Sequence, residues 1–333
     1  KMLHTIFFGS SEYCLPVLES LQKNFKLTAI ITRPDKEIGR NKILTPTPPK
    51  KFGLSHNIPV LTPKTAFEIS KLIPELKKFS PDLSIVADYG LMIPDEVISL
   101  PKIDTLNIHF SRLPKYRGPS PVQYTILNGE KSTWISIIKL VKKLDAGEII
   151  YQKEISLSGD ETTGSLYKKL FNIASVDLGS VLSDFALNRI KPIKQDESEA
   201  TYTRKITKED GFIPWEILTS AMGESKQMKP NIDSWPLIKL IPELSAKDGS
   251  AFGGDIERAL RAFTPWPGLW TEIILREIPG IKGPKFRESS IPKKRLKILK
   301  AHFENEKLVI DEVQLEGKNP VSWIQFLAGY KIS

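Results

Sequence analysis

The first half of the chain alternates short runs of β-branched and aromatic residues with longer amphipathic ones. His4–Phe8, Leu27–Thr32 and Leu83–Val86 are of the first kind; Glu12–Asn24 and Thr65–Phe79 are of the second. This pattern predicts βαβ units whose strands lie side by side in a parallel sheet, with helices covering its faces. The series continues with a strand over Thr105–Phe110, a helix over Pro119–Leu127, strands over Ile135–Leu140 and Ile149–Leu157, and a long helix over Thr162–Leu187. In that helix Leu166, Leu170, Ala174, Leu178, Val181, Leu182 and Phe185 recur near the 3.6-residue period of one buried face.

From Asn188 to Lys205 the chain turns polar and charged, which predicts a connection between two domains. The expected division is 1–190, a linker at 191–204, and 205–333. Beyond it the pattern predicts one helix over Asp255–Phe263 and strands over Thr271–Leu275, Leu296–Ala301, Lys307–Val313 and Val321–Tyr330. Proline and glycine between the strands suggest a small barrel. The stretch 222–254 lacks clear periodicity and reads as an insertion forming a solvent-exposed loop.

Several classes of function are disfavoured. Cys14 is the only cysteine, so one chain can build neither a disulfide framework nor a thiolate metal cluster. The four histidines, His4, His56, His109 and His302, have no paired spacing, and no metal is expected. Gly9-Ser10-Ser11-Glu12 lacks the later glycines of a dinucleotide fingerprint. No run approaches ~18 apolar residues, so a cytoplasmic protein with no membrane partner is expected, and Met2 reads as the natural start after Lys1. The net charge of +9 is compatible with a polyanionic partner. It is concentrated in Lys282, Lys285, Arg287, Lys293, Lys294, Arg295, Lys297 and Lys300, and again in Arg33, Lys36, Arg40, Lys42, Lys50 and Lys51.

The informative segment is 105–118. On a strand, Asn107 and His109 project from one face, where an amide and an imidazole can address one reacting atom. An isolated Asn-x-His is more often a polar face meeting solvent. Asp145, in Leu144-Asp145-Ala146-Gly147, can orient His109 and raise its pKa, although an aspartate there is also an ordinary turn residue.

Taken in order, Asn107-Ile108-His109, the loop Ser111-Arg112-Leu113-Pro114-Lys115-Tyr116-Arg117-Gly118 and Leu144-Asp145-Ala146-Gly147 resemble the folate-dependent formyltransferase family. Phe8-Gly9-Ser10, Pro34-Asp35 with Gly39-Arg40, Asp88–Pro94, Thr201-Tyr202, Arg261–Gly268 and Gln314–Lys318 extend the resemblance along nearly the whole chain, toward the members that act on methionyl-tRNA. The resemblance implies an α/β, Rossmann-like formyltransferase domain with a mostly parallel sheet, then a small OB-like β-barrel that binds tRNA. It implies Asn107, His109 and Asp145 as the catalytic trio. It places 10-formyltetrahydrofolate, the formyl donor, against Tyr89, Gly90, Leu91, Ile93, Pro94, Ser111, Leu113 and Pro114. Charged initiator methionyl-tRNA, the expected acceptor, would meet Arg40, Lys42, Lys293, Lys294 and Arg295, and a monomer is expected. Phe110, Arg112 and Trp134 depart from the family pattern. The competing readings are a formyltransferase for a sugar-nucleotide amine, which would have no use for the basic 34–51 loop, and a non-catalytic nucleic-acid binder, which would have no use for the trio.

Overall fold

The computed structural model describes residues 2–39, 41–224, 230–246, 252–276 and 293–332. Arg40, Lys282, Lys285 and Arg287, expected among the basic groups, and Lys1 lie outside the described residues. The chain divides into two compact units: Lys1–Val122 with Ser132–Ser156 and Ser165–Arg204, and Gln123–Lys131 with Leu157–Gly164 and Lys205–Ser333.

The first unit is built on a seven-stranded sheet. Its strands are β1 (His4–Phe8), β2 (Lys26–Ile31), β3 (Val60–Leu61), β4 (Leu83–Val86), β5 (Asp104–His109), β6 (Ser132–Lys139) and β7 (Ile149–Ser156), in the order β3-β2-β1-β4-β5-β6-β7. Pairing is parallel from β3 through β5 and antiparallel from β5 to β7. The α/β reading therefore holds, with antiparallel strands at one edge. Ile6, Phe8, Ala29, Ile31 and Val86 of the parallel strands form one buried cluster with Ile69 and Leu76 of the helices beside them. Each of the larger side chains, all but Ala29, gains roughly 1.5–3 kcal/mol from leaving water.

Two elements differ from expectation here. Thr65–Phe79 is two short helices, Ala66–Lys71 and Ile73–Lys78, rather than one. Pro74, in the first turn of the second, lacks the N–H that a continuous helix needs there. The loop after β2 carries an exposed hairpin, Lys36–Ile38 against Ile43–Thr45, and a helix, Pro48–Ser55, capped by the Thr47 side chain.

The second unit contains a four-stranded antiparallel sheet of β8 (Leu269–Ile273), β9 (Lys294–Glu304), β10 (Lys307–Leu315) and β11 (Val321–Ser322), in that order. A helix, Gly253–Ala262, lies close to β9 and β10. Val321–Tyr330 is not a long strand. After Ser322 it becomes the helix Trp323–Gly329, because Ser322 and Gln325 form a reciprocal capping box. The 222–254 stretch is not simply a solvated loop either. Trp235, Leu237, Leu240, Ile241 and Leu244 are buried, and Trp235 meets Phe252 edge-on at 5.3 Å. Pro236 and Pro242 hold these apolar residues in short 3-10 turns, which hides their periodicity.

Candidate functional site

Strand β5 enters the sheet interior as Thr105-Leu106 and ends in His109, with Asn107 opposite Val86 of β4. Leu106 and Ile108 are buried apolar anchors. Alternation along the strand puts Asn107 and His109 on one common face. This is the carboxyl end of β4 and β5, where an open parallel sheet leaves its crevice.

Asp145 reaches the same place from the turn between β6 and β7. Its Oδ1 accepts a hydrogen bond from Asn107 Nδ2 at 3.2 Å, and its Oδ2 accepts one from the Gly118 N–H at 2.8 Å. His109 Nδ1 lies 3.7 Å from Asp145 Oδ2, and both side chains are almost wholly buried. His109 Nε2 is 2.9 Å from the Tyr116 carbonyl. A carbonyl only accepts, so Nε2 carries a proton, and Nδ1 is the nitrogen turned toward the carboxylate. The structure thus brings Asn107, His109 and Asp145 together.

The turn is held by contacts that the local pattern does not announce. Asp145 has φ +46°, in the left-handed region. Gly147 is required, because a Cβ there would overlap the Lys139 carbonyl. Gln195 Nε2 donates to the carbonyls of Asp145 at 2.8 Å and Gly147 at 2.7 Å. Its Oε1 accepts from Arg117 Nε at 3.0 Å and Nη2 at 2.8 Å. Arg117 is fully buried and also pairs with Glu197 at 2.9 Å. Hydrogen bonds from Arg117 and Lys143 hold the Glu197 carboxyl down at about 2, far below its ordinary value. In the sequence Gln195 and Glu197 fall in the expected linker, and Arg117 in the loop before Gly118 with no role of its own. Nothing local signals a partner 78 positions away.

The other expected residues are distributed as follows. Tyr89 is buried beside Phe8, its hydroxyl has no partner among the described residues, and burial raises its pKa. Gly90 has φ +76° and its carbonyl accepts a long bond from Arg33, while Leu91 is half-buried and Met92 is exposed. Ile93 is buried and Pro94 caps the short helix that follows. Ser111 turns inward, its Oγ donating to the Lys115 carbonyl at 2.6 Å. Leu113 is buried against Ile138 and Ile149, and the Pro114 carbonyl accepts from the Thr201 N–H. These last three brace the loop that carries Tyr116 and Gly118. The unusual Arg112 and Trp134 partner each other, the guanidinium lying 5.3 Å from the indole centre, and Phe110 packs edge-on against Phe171.

Lys42 is exposed, with φ +48°, in the turn of the hairpin after β2. In the second unit Lys293 faces Glu272 at 3.8 Å and Lys294 is exposed. Arg295 stacks on Trp270, 4.3 Å from the ring centre. Among the described residues no group of three or more His, Cys, Asp or Glu side chains is arranged to hold a metal ion, and no helix is long and apolar enough to cross a membrane.

Residues 4–182 match the formyl transferase family model. The chain is 37% identical over 240 residues to the methionyl-tRNA formyltransferase of Enterococcus faecalis, covering 71% of this chain and 74% of that one. It is 32% identical over 336 residues to the methionyl-tRNA formyltransferase of Dictyoglomus thermophilum, covering 99% and 98%. Among solved structures, a methionyl-tRNA formyltransferase from Clostridium thermocellum superposes with a TM-score of 0.52 at 20% identity, covering 94% of this chain and 99% of that one, which is a likeness of fold.

Proposed function

Because this chain belongs to the formyl transferase family, we propose that it moves the formyl group of 10-formyltetrahydrofolate to the α-amine of charged initiator methionyl-tRNA. The observation that carries this reading is the convergence of Asn107, His109 and Asp145 at the carboxyl end of β5, in a chain similar to methionyl-tRNA formyltransferases along its length.

The chemistry asks for two things. As the amine attacks the formyl carbon, the formyl oxygen gains negative charge; as the bond to the folate nitrogen breaks, protons must leave the amine and reach that nitrogen. Asn107 spends one amide N–H on Asp145 and has a second to give. One such donor is worth roughly 2.7–4 kcal/mol of barrier. In its imidazolium form His109 keeps the Tyr116 bond through Nε2 and donates from Nδ1, with Asp145 as counter-charge. Asp145 accepts the proton that the amine loses, directly or through water.

The residues suit a folate in kind. Segment 89–94 follows β4 at the same sheet end as Asn107, with positive φ at Gly90 and an exposed Met92. In this reading Tyr89, Gly90, Leu91, Ile93 and Pro94 line the pterin side, while Ser111, Leu113 and Pro114 shape the facing loop. Residues 1–190 form the catalytic domain, 191–204 the linker and 205–333 an OB-like domain for tRNA. Lys42 on the hairpin, and Lys293, Lys294 and Arg295 near the start of β9, meet phosphates, with Arg40 joining them.

The test is a formylation assay with 10-formyltetrahydrofolate and charged initiator methionyl-tRNA, run beside free methionine and an aminosugar nucleotide. Transfer to the charged tRNA alone is expected. Transfer to the sugar nucleotide would overturn the acceptor, and transfer to none would overturn the enzyme.

A further inference from the structure

The hydrogen bonds around Asp145 run on beyond the three residues placed in the chemistry. The carboxylate depends on the conformation of its own turn, and that turn is left-handed at Asp145. Such a conformation costs a non-glycine residue roughly 1–2 kcal/mol and persists only where its surroundings fix it. Gln195 supplies both side-chain bonds to the backbone of the turn, with one Nε2 group donating to the carbonyls of Asp145 and Gly147.

The carboxamide cannot flip. Two carbonyls face its nitrogen, and the Nε and Nη2 donors of Arg117 face its oxygen. Reversal would set acceptor against acceptor and donor against donor. Arg117 is itself fixed. It is fully buried, its backbone exchanges bonds with Thr201 and Thr203, and its remaining N–H groups go to Glu197 and to the Tyr202 hydroxyl, Glu197 also accepting from Lys143, two residues before Asp145. Next along the chain from Arg117, Gly118 donates to Asp145 Oδ2. A Cβ at Gly118 would lie 2.5 Å from the Thr203 carbonyl, so the approach that delivers this N–H needs glycine. Segment 195–203 thus holds the carboxylate from two sides, through its turn and through Gly118.

We propose that Gln195 is a positioning residue for proton transfer by Asp145, anchored by Arg117 and acting without touching either substrate. The proposal rests on the catalytic reading of Asp145. Gln195→Glu is the informative variant, since it leaves an oxygen for Arg117 but replaces the donor to the two carbonyls by a second acceptor. Displacing a catalytic group by about an ångström can cost on the order of 100-fold.

The experiment is a double-mutant cycle of Gln195→Glu with Asp145→Asn, read by steady-state formylation of charged methionyl-tRNA and by amide exchange at Gly118. Expected is a kcat lowered about 10- to 100-fold by Gln195→Glu. KM for tRNA and for folate should change little, and Gly118 exchange should accelerate. In the Asp145→Asn background the same change should cost less than about twofold, because its effect passes through the carboxylate. An equal loss in both backgrounds overturns the proposal, as does normal kcat with unchanged Gly118 exchange. If Gln195→Glu folds poorly, Gln195→Met keeps the side-chain length and goes through the same cycle. Near-normal turnover by Asp145→Asn alone would sink the catalytic reading instead, while Gly118 exchange would still report whether Gln195 holds the turn.

Discussion

At the Asp145 turn both carboxylate oxygens have donors, the side chain is nearly closed off from water, and the supporting arginine is fully buried. Along β9 of the second unit the charges sit differently: Lys300 is 71% exposed and pairs with Glu312 at 2.7 Å, and Lys294 and Lys297 are exposed. The first arrangement works through fixed geometry in a low-dielectric setting, where one misplaced donor is costly. The second presents its charges to solvent, where each is individually replaceable and screened by salt.

The largest effect should come from Asp145→Asn. An amide in that place can satisfy only one of its two donors, Asn107 and Gly118, and it cannot take a proton. Turnover should fall on the order of 10²–10⁴-fold. A thermal melt close to that of the unaltered protein, measured alongside, would show that chemistry and not folding was lost.

Gly147→Ala attacks the same centre through the backbone. The added Cβ must push the turn away from Lys139, so urea unfolding should report a loss of about 1–3 kcal/mol. Formylation should weaken with it. A variant of unchanged stability and rate would show that the turn is not rigid, and would erase the contrast with β9.

Smaller effects are expected on β9. Lys294→Gln and Lys297→Gln should each lower the log–log salt slope of tRNA binding by about one, with a modest rise in KM for charged tRNA. A salt slope unaffected by either change would remove β9 from the tRNA surface.

The smallest effect sharpens the contrast by pH. Glu197 is held down at about 2 against an ordinary 4.5, so its pairing with Arg117 and Lys143 adds stability above 4.5 that is lost as pH falls through about 2. The melting temperature of the unaltered protein should therefore exceed that of Glu197→Gln by a constant margin above about pH 4.5. The margin should close toward pH 2. A margin independent of pH would mean that the carboxylate charge contributes nothing.

Legibility differed in the same way between the two regions. His4–Phe8 and Leu83–Val86 are legible because each is a short apolar run beside an amphipathic stretch, and Leu83–Val86 is a strand over the expected residues, whereas the strand Val60–Leu61 is too short to leave a pattern. In the second unit, proline hid the buried 235–244 segment, and one serine converted a presumed strand at Val321–Tyr330 into a helix. Within the site, Asn107 and His109 were visible as a pair because strand alternation is a local rule. Asp145 looked like an ordinary turn residue, and its partnership with Asn107 spans 38 positions.

The sequence by itself determined the alternating elements, the placement of Asn107 and His109 on one strand face, and the distribution of basic residues, since each follows from residue type and spacing over a few positions. Tertiary structure alone decided that Gly118 would aim its N–H at Asp145, that Gln195 would lock the Asp145 turn, and that His109 would spend Nε2 on Tyr116. These depend on distant segments arriving at hydrogen-bonding distance. Hydrogen bonds act over about 3 Å, whereas the chain pattern specifies only which face of each element is buried.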